Sequence, residues 1–98
     1  MSSTTPTTIT PAQRQAIARR AMMATTPYWM MKQELDRAAL AAETARIIAR
    51  RRRSPAALAD ARVALAEYGI AVRAYMPAWK EWTEALEEKK RAGLPYAD

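Results

Sequence analysis

Cysteine and histidine are both absent from this sequence of 98 residues, and glycine occurs only twice. Without cysteine there is no disulfide and no thiol nucleophile, and without histidine the commonest general base near neutral pH is missing. The same absences remove most zinc ligand sets. Neither GxxxxGK[ST] nor GxGxxG is present to bind phosphate groups. We therefore expect no enzymatic activity, no cofactor, no metal site and no small-molecule substrate.

Long apolar runs are also lacking, since no stretch approaches the roughly 18 uninterrupted apolar residues of a membrane span. Met1 to Pro11 carry neither the basic region nor the apolar region of a secretory signal peptide. These patterns predict a protein that does not enter a membrane and is not secreted by a signal peptide.

A chain of 98 residues forms one domain at most and buries only about 60–65% of its unfolded surface. Half of the residues are apolar, but many of these are alanine, which buries little area. We therefore expect stability to depend on a partner or on self-association.

Helix signals divide the chain into segments. Residues 1–9 are rich in serine and threonine and predict a flexible arm. A first short helix is expected from Thr10, which begins a capping box, to about residue 24, because the sequence at 25–27 (TTP) is typical of a break. A second helix is expected from residue 27 to about 53.

Ser54 and Pro55 repeat the capping signal, so a third helix is predicted from Pro55 to about Arg91, ended by Gly93. Pro77 lies inside it, and we expect a kinked but continuous helix. The predicted fold is all-α: a long antiparallel helical hairpin with a short N-terminal helix and an extended N-terminal arm. Its boundaries are 1–9 for the arm, 10–93 for a single helical domain and 94–98 for a C-terminal tail.

Apolar residues in the third helix follow alternating spacings of three and four, which is typical of coiled-coil packing. They are Leu58, Ala61, Leu65, Tyr68, Val72, Tyr75, Trp79, Trp82 and Leu86. Beside them, an alanine recurs every seventh residue from Ala57 to Ala85. The second helix has a matching stripe at Tyr28, Met31, Leu35, Ala38, Ala42, Ala45 and Ala49. We predict that the two stripes form the seam of the hairpin.

At the open end of the hairpin, aromatic and methionine side chains collect from both helices. One interpretation is a core beneath the first helix; the other is a partly exposed surface for docking another protein. Val63 and Ile70 point away from the predicted seam, so either the first helix or another subunit is needed to bury them. The candidate protein-interface residues are Tyr28, Trp29, Met30, Val63, Ile70, Met76, Trp79 and Trp82.

At the opposite end, residues 46–62 hold six arginines against one aspartate, a local net charge of +5 out of +6 for the whole chain. One or two arginines stabilise the C-terminus of a helix through its dipole. Four in succession exceed that need and favour contact with nucleic-acid phosphates or with an acidic protein surface. The candidate contact residues, the arginine tip, are Arg46, Arg50, Arg51, Arg52, Arg53 and Arg62.

The segment from Ala78 to Tyr96 (AWKEWTEALEEKKRAGLPY) resembles the C-terminal motif of bacteriophage tail and tail-fibre assembly chaperones. That pattern is roughly A-W-x-x-[YW]-x-x-A-L, a spacer, and G-[FL]-P-[WY]. The likeness covers about a fifth of the chain, and the upstream aspartate-tryptophan turn of the family is absent. It implies a bacteriophage structural or assembly protein, located in a virion or in the cytoplasm of the bacterial host.

Three functions are consistent with the sequence. The first is a non-enzymatic, oligomeric helical protein that packs against other protein subunits, self or heterologous, in a larger particle such as a bacteriophage virion or tail assembly. The second is a basic protein that binds nucleic acid through the arginine tip. The third is a small inhibitor of a host complex.

Overall fold

The computed structural model describes residues 9–94 and contains two long α-helices, α1 (Pro11–Arg52) and α2 (Pro55–Arg91). They pack antiparallel as a helical hairpin, and the described residues contain no strand. The predicted all-α hairpin is therefore confirmed. The predicted arm lies outside the described residues except for Ile9, and so does the predicted tail except for Leu94.

Local capping signals set the helix ends as the sequence predicts. The Thr10 hydroxyl accepts a hydrogen bond from the Gln13 amide at 3.1 Å, and the Gln13 side chain accepts one from the Thr10 amide at 2.8 Å. The Ser54 hydroxyl accepts from the Ala57 amide at 3.1 Å. Gly93, with φ of 74°, follows the last turn of α2, where a left-handed residue is common.

A connection of only two residues, Arg53 and Ser54, joins the helices. Arg53 has φ 51° and ψ 28°, in the left-handed region, and its amide donates to the Ala49 carbonyl at 2.9 Å. This geometry closes α1 and reverses the chain within one residue, so the helices run side by side from the arginine tip.

The predicted short N-terminal helix is wrong, because α1 continues through residues 25–27 and Pro27 lies inside it. The ring of Pro27 is exposed, so it displaces no packed side chain. Ala21, Ala24 and Tyr28 are buried on both sides of the proline at helical spacing. Packing of this extra length against α2 outweighs the roughly 3 kcal/mol that an internal proline costs.

The predicted stripe on α1 faces α2. Tyr28, Ala38, Ala42 and Ala49 are buried, while Met31, Leu35 and Ala45 are half-buried. The stripe also continues toward the N-terminus through Ala24 and Ala21. It therefore runs from Ala21 to Ala49, about 42 Å at 1.5 Å per residue, within a helix of 42 residues.

On α2 the seam is rotated relative to the prediction. The row centred on the alanines faces α1: Ala57, Ala71 and Ala85 are buried, and Ala64 and Ala78 are half-buried. Leu58 and Leu65, predicted at the centre of the seam, are 46% and 53% exposed. The contacting stripe of α1 is largely alanine, so the helices meet through small side chains and the leucines lie at the edge of the contact.

Candidate protein interfaces and the arginine tip

Three of the predicted aromatic residues pack together between the helices. The ring of Tyr28 on α1 stacks on that of Trp82 on α2, with centroids 3.9 Å apart, and lies 5.9 Å from the ring of Tyr75. Tyr28 is 8% exposed, so it belongs to the core of the hairpin and has little surface to offer a partner. Desolvation at this site raises the pKa of Tyr75 above its ordinary value.

The other predicted residues of this end face outward. The rings of Trp29 and Tyr28 meet edge to face, with centroids 5.1 Å apart and planes 72° from parallel, but Trp29 is itself exposed. Met30, Met76 and Trp79 are exposed as well. The structure thus divides the aromatic-methionine cluster into an inner stack, which belongs to the core of the hairpin, and an exposed outer surface. No separate first helix covers this core, and docking of another protein on the outer surface stays a prediction.

Val63 and Ile70 are 58% and 60% exposed on the outer side of α2. The structure places them away from α1, as the heptad pattern predicts. Whether another chain covers them stays a prediction.

Apart from Trp79, the residues of a second exposed surface were missed, because the sequence pattern assigned them to the seam. Five apolar side chains of α2 recur every seventh residue along one edge of the hairpin, where Leu65 lies beside Ala39 and Arg46 of α1. We call this edge the apolar row. It consists of Leu58, Leu65, Val72, Trp79 and Leu86. Val72 and Leu86 are half-buried, and the other three are exposed.

These surfaces reflect a general shortage of buried volume. Among the described residues no large side chain is fully buried, and the core consists of alanines and Tyr28. Within residues 9–94, fourteen large hydrophobic residues are exposed. Exposed apolar area on this scale in a small protein usually marks an interaction surface.

An ion-pair cluster at the open end was also missed. The guanidinium of Arg20 on α1 contacts Glu81 at 2.8 Å and Glu88 at 3.0 Å on α2, with Glu84 at 3.7 Å. The contact lowers the pKa of Glu81 and raises that of Arg20. Arg20 and Glu88 are equally distant from Ser54 in the sequence, so the register of the hairpin predicts that they meet.

The arginine tip is accessible in the structure. Arg46 pairs with Glu43 at 2.9 Å. Within residues 9–94, Arg50 to Arg53 and Arg62 make no ion pair, and all of them are exposed. Four successive cations at the end of α1 thus have no carboxylate partner in the described part of the hairpin.

Other kinds of site find no support in the described part of the chain. Neither helix there has an apolar stretch long enough to cross a membrane. The acidic side chains of residues 9–94 form no group suited to holding a metal ion.

The geometry defines a helical hairpin with exposed apolar edges and a cationic end. Comparison with protein-family models, with curated proteins and with solved structures gave no match. The arguments for function therefore come from the hairpin and its surfaces.

Proposed function

We propose that this chain is a non-enzymatic structural or assembly protein that packs against other protein subunits in a larger particle. The observation that carries the proposal is the distribution of apolar side chains. Leucine, isoleucine, methionine and tryptophan lie mostly on the surface, whereas alanine fills the seam. A protein selected to act alone gains stability by burying its largest apolar groups. Here they remain available to a partner.

The resemblance of residues 78–96 to tail assembly chaperones supports a bacteriophage virion or tail as the particle. The part of this segment that the structure describes contains Trp79, exposed, and Trp82, stacked on Tyr28. In this proposal Trp79 contacts another subunit while Trp82 holds the hairpin together. Pro95 and Tyr96, which complete the motif, lie outside the described residues.

The test is the mass and cooperativity of the purified protein, measured by sedimentation and thermal unfolding with and without nuclease treatment. We expect either a mass above that of the 11.0 kDa chain or, for the isolated chain, weakly cooperative unfolding. Nuclease treatment should change neither. A cooperatively folded monomer that does not bind a dye for exposed apolar surface would contradict the proposal.

A second function, binding of nucleic-acid phosphates by the arginine tip, is favoured by Arg53. Its left-handed conformation costs a residue with a Cβ atom about 1–2 kcal/mol, whereas glycine adopts it freely. An arginine at this point holds a charge at the extreme end of the hairpin despite that cost. A mass that falls to that of the monomer on nuclease treatment would favour this function over the first.

A further inference from the structure

The apolar row contains a wider pattern than a two-helix hairpin uses. The residues of α2 that face α1 already satisfy the alternating spacing of three and four, from Ala57 to Ala85. The row adds a third apolar position to every heptad. Two apolar positions per heptad suffice for a pair of helices, whereas three are typical of a helix in a bundle. The apolar row, as the third position, is fully buried only if further helices pack on this edge of the hairpin.

Gly69 is an independent sign of a close neighbour on this edge. It lies three residues before Val72 and four after Leu65, so it shares their side of α2. A glycine inside a helix weakens it relative to alanine. Nothing in the hairpin requires it, because a Cβ atom at Gly69 would meet only the guanidinium of Arg73, at an ordinary 3.8 Å. Glycine at such a position permits the close approach of another backbone.

We infer that the occupant of this edge is a second copy of the chain, giving a four-helix bundle in which α2 packs antiparallel on the partner's α2. The inference rests on the proposed function, since it names the subunit against which the apolar row packs. A partner must match an apolar edge with a seven-residue repeat about 42 Å long at 1.5 Å per residue. The chain's own α2 has this length and repeat.

The symmetry of the row selects the orientation of the two copies. In the row, Val72 is central and the outer members, Leu58 and Leu86, are equally distant from it. An antiparallel partner thus places Val72 on the two-fold axis and apolar residues opposite apolar residues, as an isologous interface requires. The arginine tips lie at opposite ends.

The parallel alternative fits less well. It would place the apolar row on the neighbouring edge of the partner's α1. That edge carries Lys32 and Arg46, both in ion pairs with carboxylates of α1. It would also bring the two arginine tips together.

The area of the row indicates a reversible dimer. A strip about 42 Å long and one helix diameter wide, about 10 Å, covers about 420 Å² on each copy. This is about half of the roughly 800 Å² that stable protein interfaces bury on each partner, so the dimer should dissociate on dilution. A short peptide would cover only a fraction of the row.

Replacement of Gly69 by leucine tests the interface without weakening the hairpin. Leucine favours helix more than glycine, and the space above Gly69 is open. By sedimentation equilibrium we expect twice the 11.0 kDa chain mass for the wild type and the monomer mass for Gly69→Leu. Helix content should be retained by circular dichroism. Ala66→Leu, on the outward side of α2, is the matched control and should remain dimeric.

Single cysteines test the orientation, since the chain has none of its own. Val72→Cys should oxidise to a covalent dimer, while Val63→Cys, on the outer side, should not. A dimer that survives Gly69→Leu, or that cross-links equally through both cysteines, overturns the inference but leaves the proposed function standing. A wild-type monomer at all concentrations also overturns the inference, and its unfolding and dye binding then decide the proposed function separately.

Discussion

Tyr28 and Trp82 stack across the two helices with ring planes only 7° from parallel. They form an aromatic contact in a seam whose buried apolar residues other than Tyr28 are alanines, and such a pair contributes about 0.5–1.5 kcal/mol beyond its area burial. We expect Trp82→Ala to lower the free energy of unfolding by about 2 kcal/mol or more in urea titrations. Trp29→Ala, the control at an exposed position, should change it by less than about 0.5 kcal/mol. If Trp82→Ala and Trp29→Ala lower the free energy of unfolding equally, the stack of Tyr28 on Trp82 does not stabilise the hairpin.

Ala71 tests the small-residue contact in the middle of the hairpin. It is buried against α1, so Ala71→Leu should overpack the seam and lower the free energy of unfolding by about 1–3 kcal/mol. The exposed Ala66, changed to leucine, should be nearly neutral. A neutral or stabilising Ala71→Leu would show that the helices are not closely packed there.

The Arg20 cluster predicts a pH dependence. Arg20 holds the pKa of Glu81 below its ordinary value of 4.5. The Arg20–Glu81 contact therefore contributes its full stabilisation above pH 4.5, where Glu81 is ionised in both the folded and the unfolded state. This stabilisation is lost as pH falls through the lowered pKa of the folded state. Thermal midpoints between pH 6 and 2 should therefore decline less steeply in Arg20→Gln than in the wild type. Arg19→Gln, which removes an exposed neighbouring charge, should retain the wild-type slope; identical slopes in all three would remove the cluster from this role.

Salt dependence distinguishes a phosphate-binding tip from an inert one. If Arg50–Arg53 contact phosphates, affinity for purified duplex DNA should fall linearly with the logarithm of salt concentration. The slope should be about 0.9 per contact. Changing these four to glutamine should flatten the slope. The control removes four exposed charges elsewhere, at Arg14, Arg19, Arg73 and Lys80. A slope that falls equally in both variants would indicate nonspecific attraction.

Val63 and Ile70 predict a contact on the outer side of α2. Their exposure motivates the hypothesis that another chain buries them in the assembled particle. In sedimentation, the Val63→Glu, Ile70→Glu double variant should lose higher assembly while keeping its helix content. Ala59→Glu, Ala66→Glu adds the same charge and should assemble normally. If the Val63→Glu, Ile70→Glu variant assembles like the wild type, these two exposed side chains form no contact between subunits.

The outer helix ends, the pairing of the helices and the α1 side of the seam followed from the sequence, whereas the α2 side of the seam did not. Thr10 with Gln13, and Ser54 with Pro55, mark caps that no tertiary contact overrides. At Pro27 the local signal for a helix break failed. The free-energy cost of a proline inside the helix is smaller than the stabilisation gained when about four more helical turns, before Pro27, pack against α2. On α2, three apolar positions in each heptad allow two alternative seams. The choice between them depends on the size of the side chains that α1 presents, which the pattern of α2 alone does not contain.

Pro27 and Pro77 interrupt the backbone hydrogen bonding of the two helices at different levels of the hairpin. Each ring lacks an amide hydrogen, so the carbonyls of Met23 and Arg73 lose their helical partners. Met23 lies 31 residues before Ser54 and Arg73 lies 19 after it, so these two gaps are about 18 Å apart along the rod at 1.5 Å per residue. An uninterrupted length of the other helix runs beside each gap, so a sideways load on the arginine tip meets no hinge that both helices share.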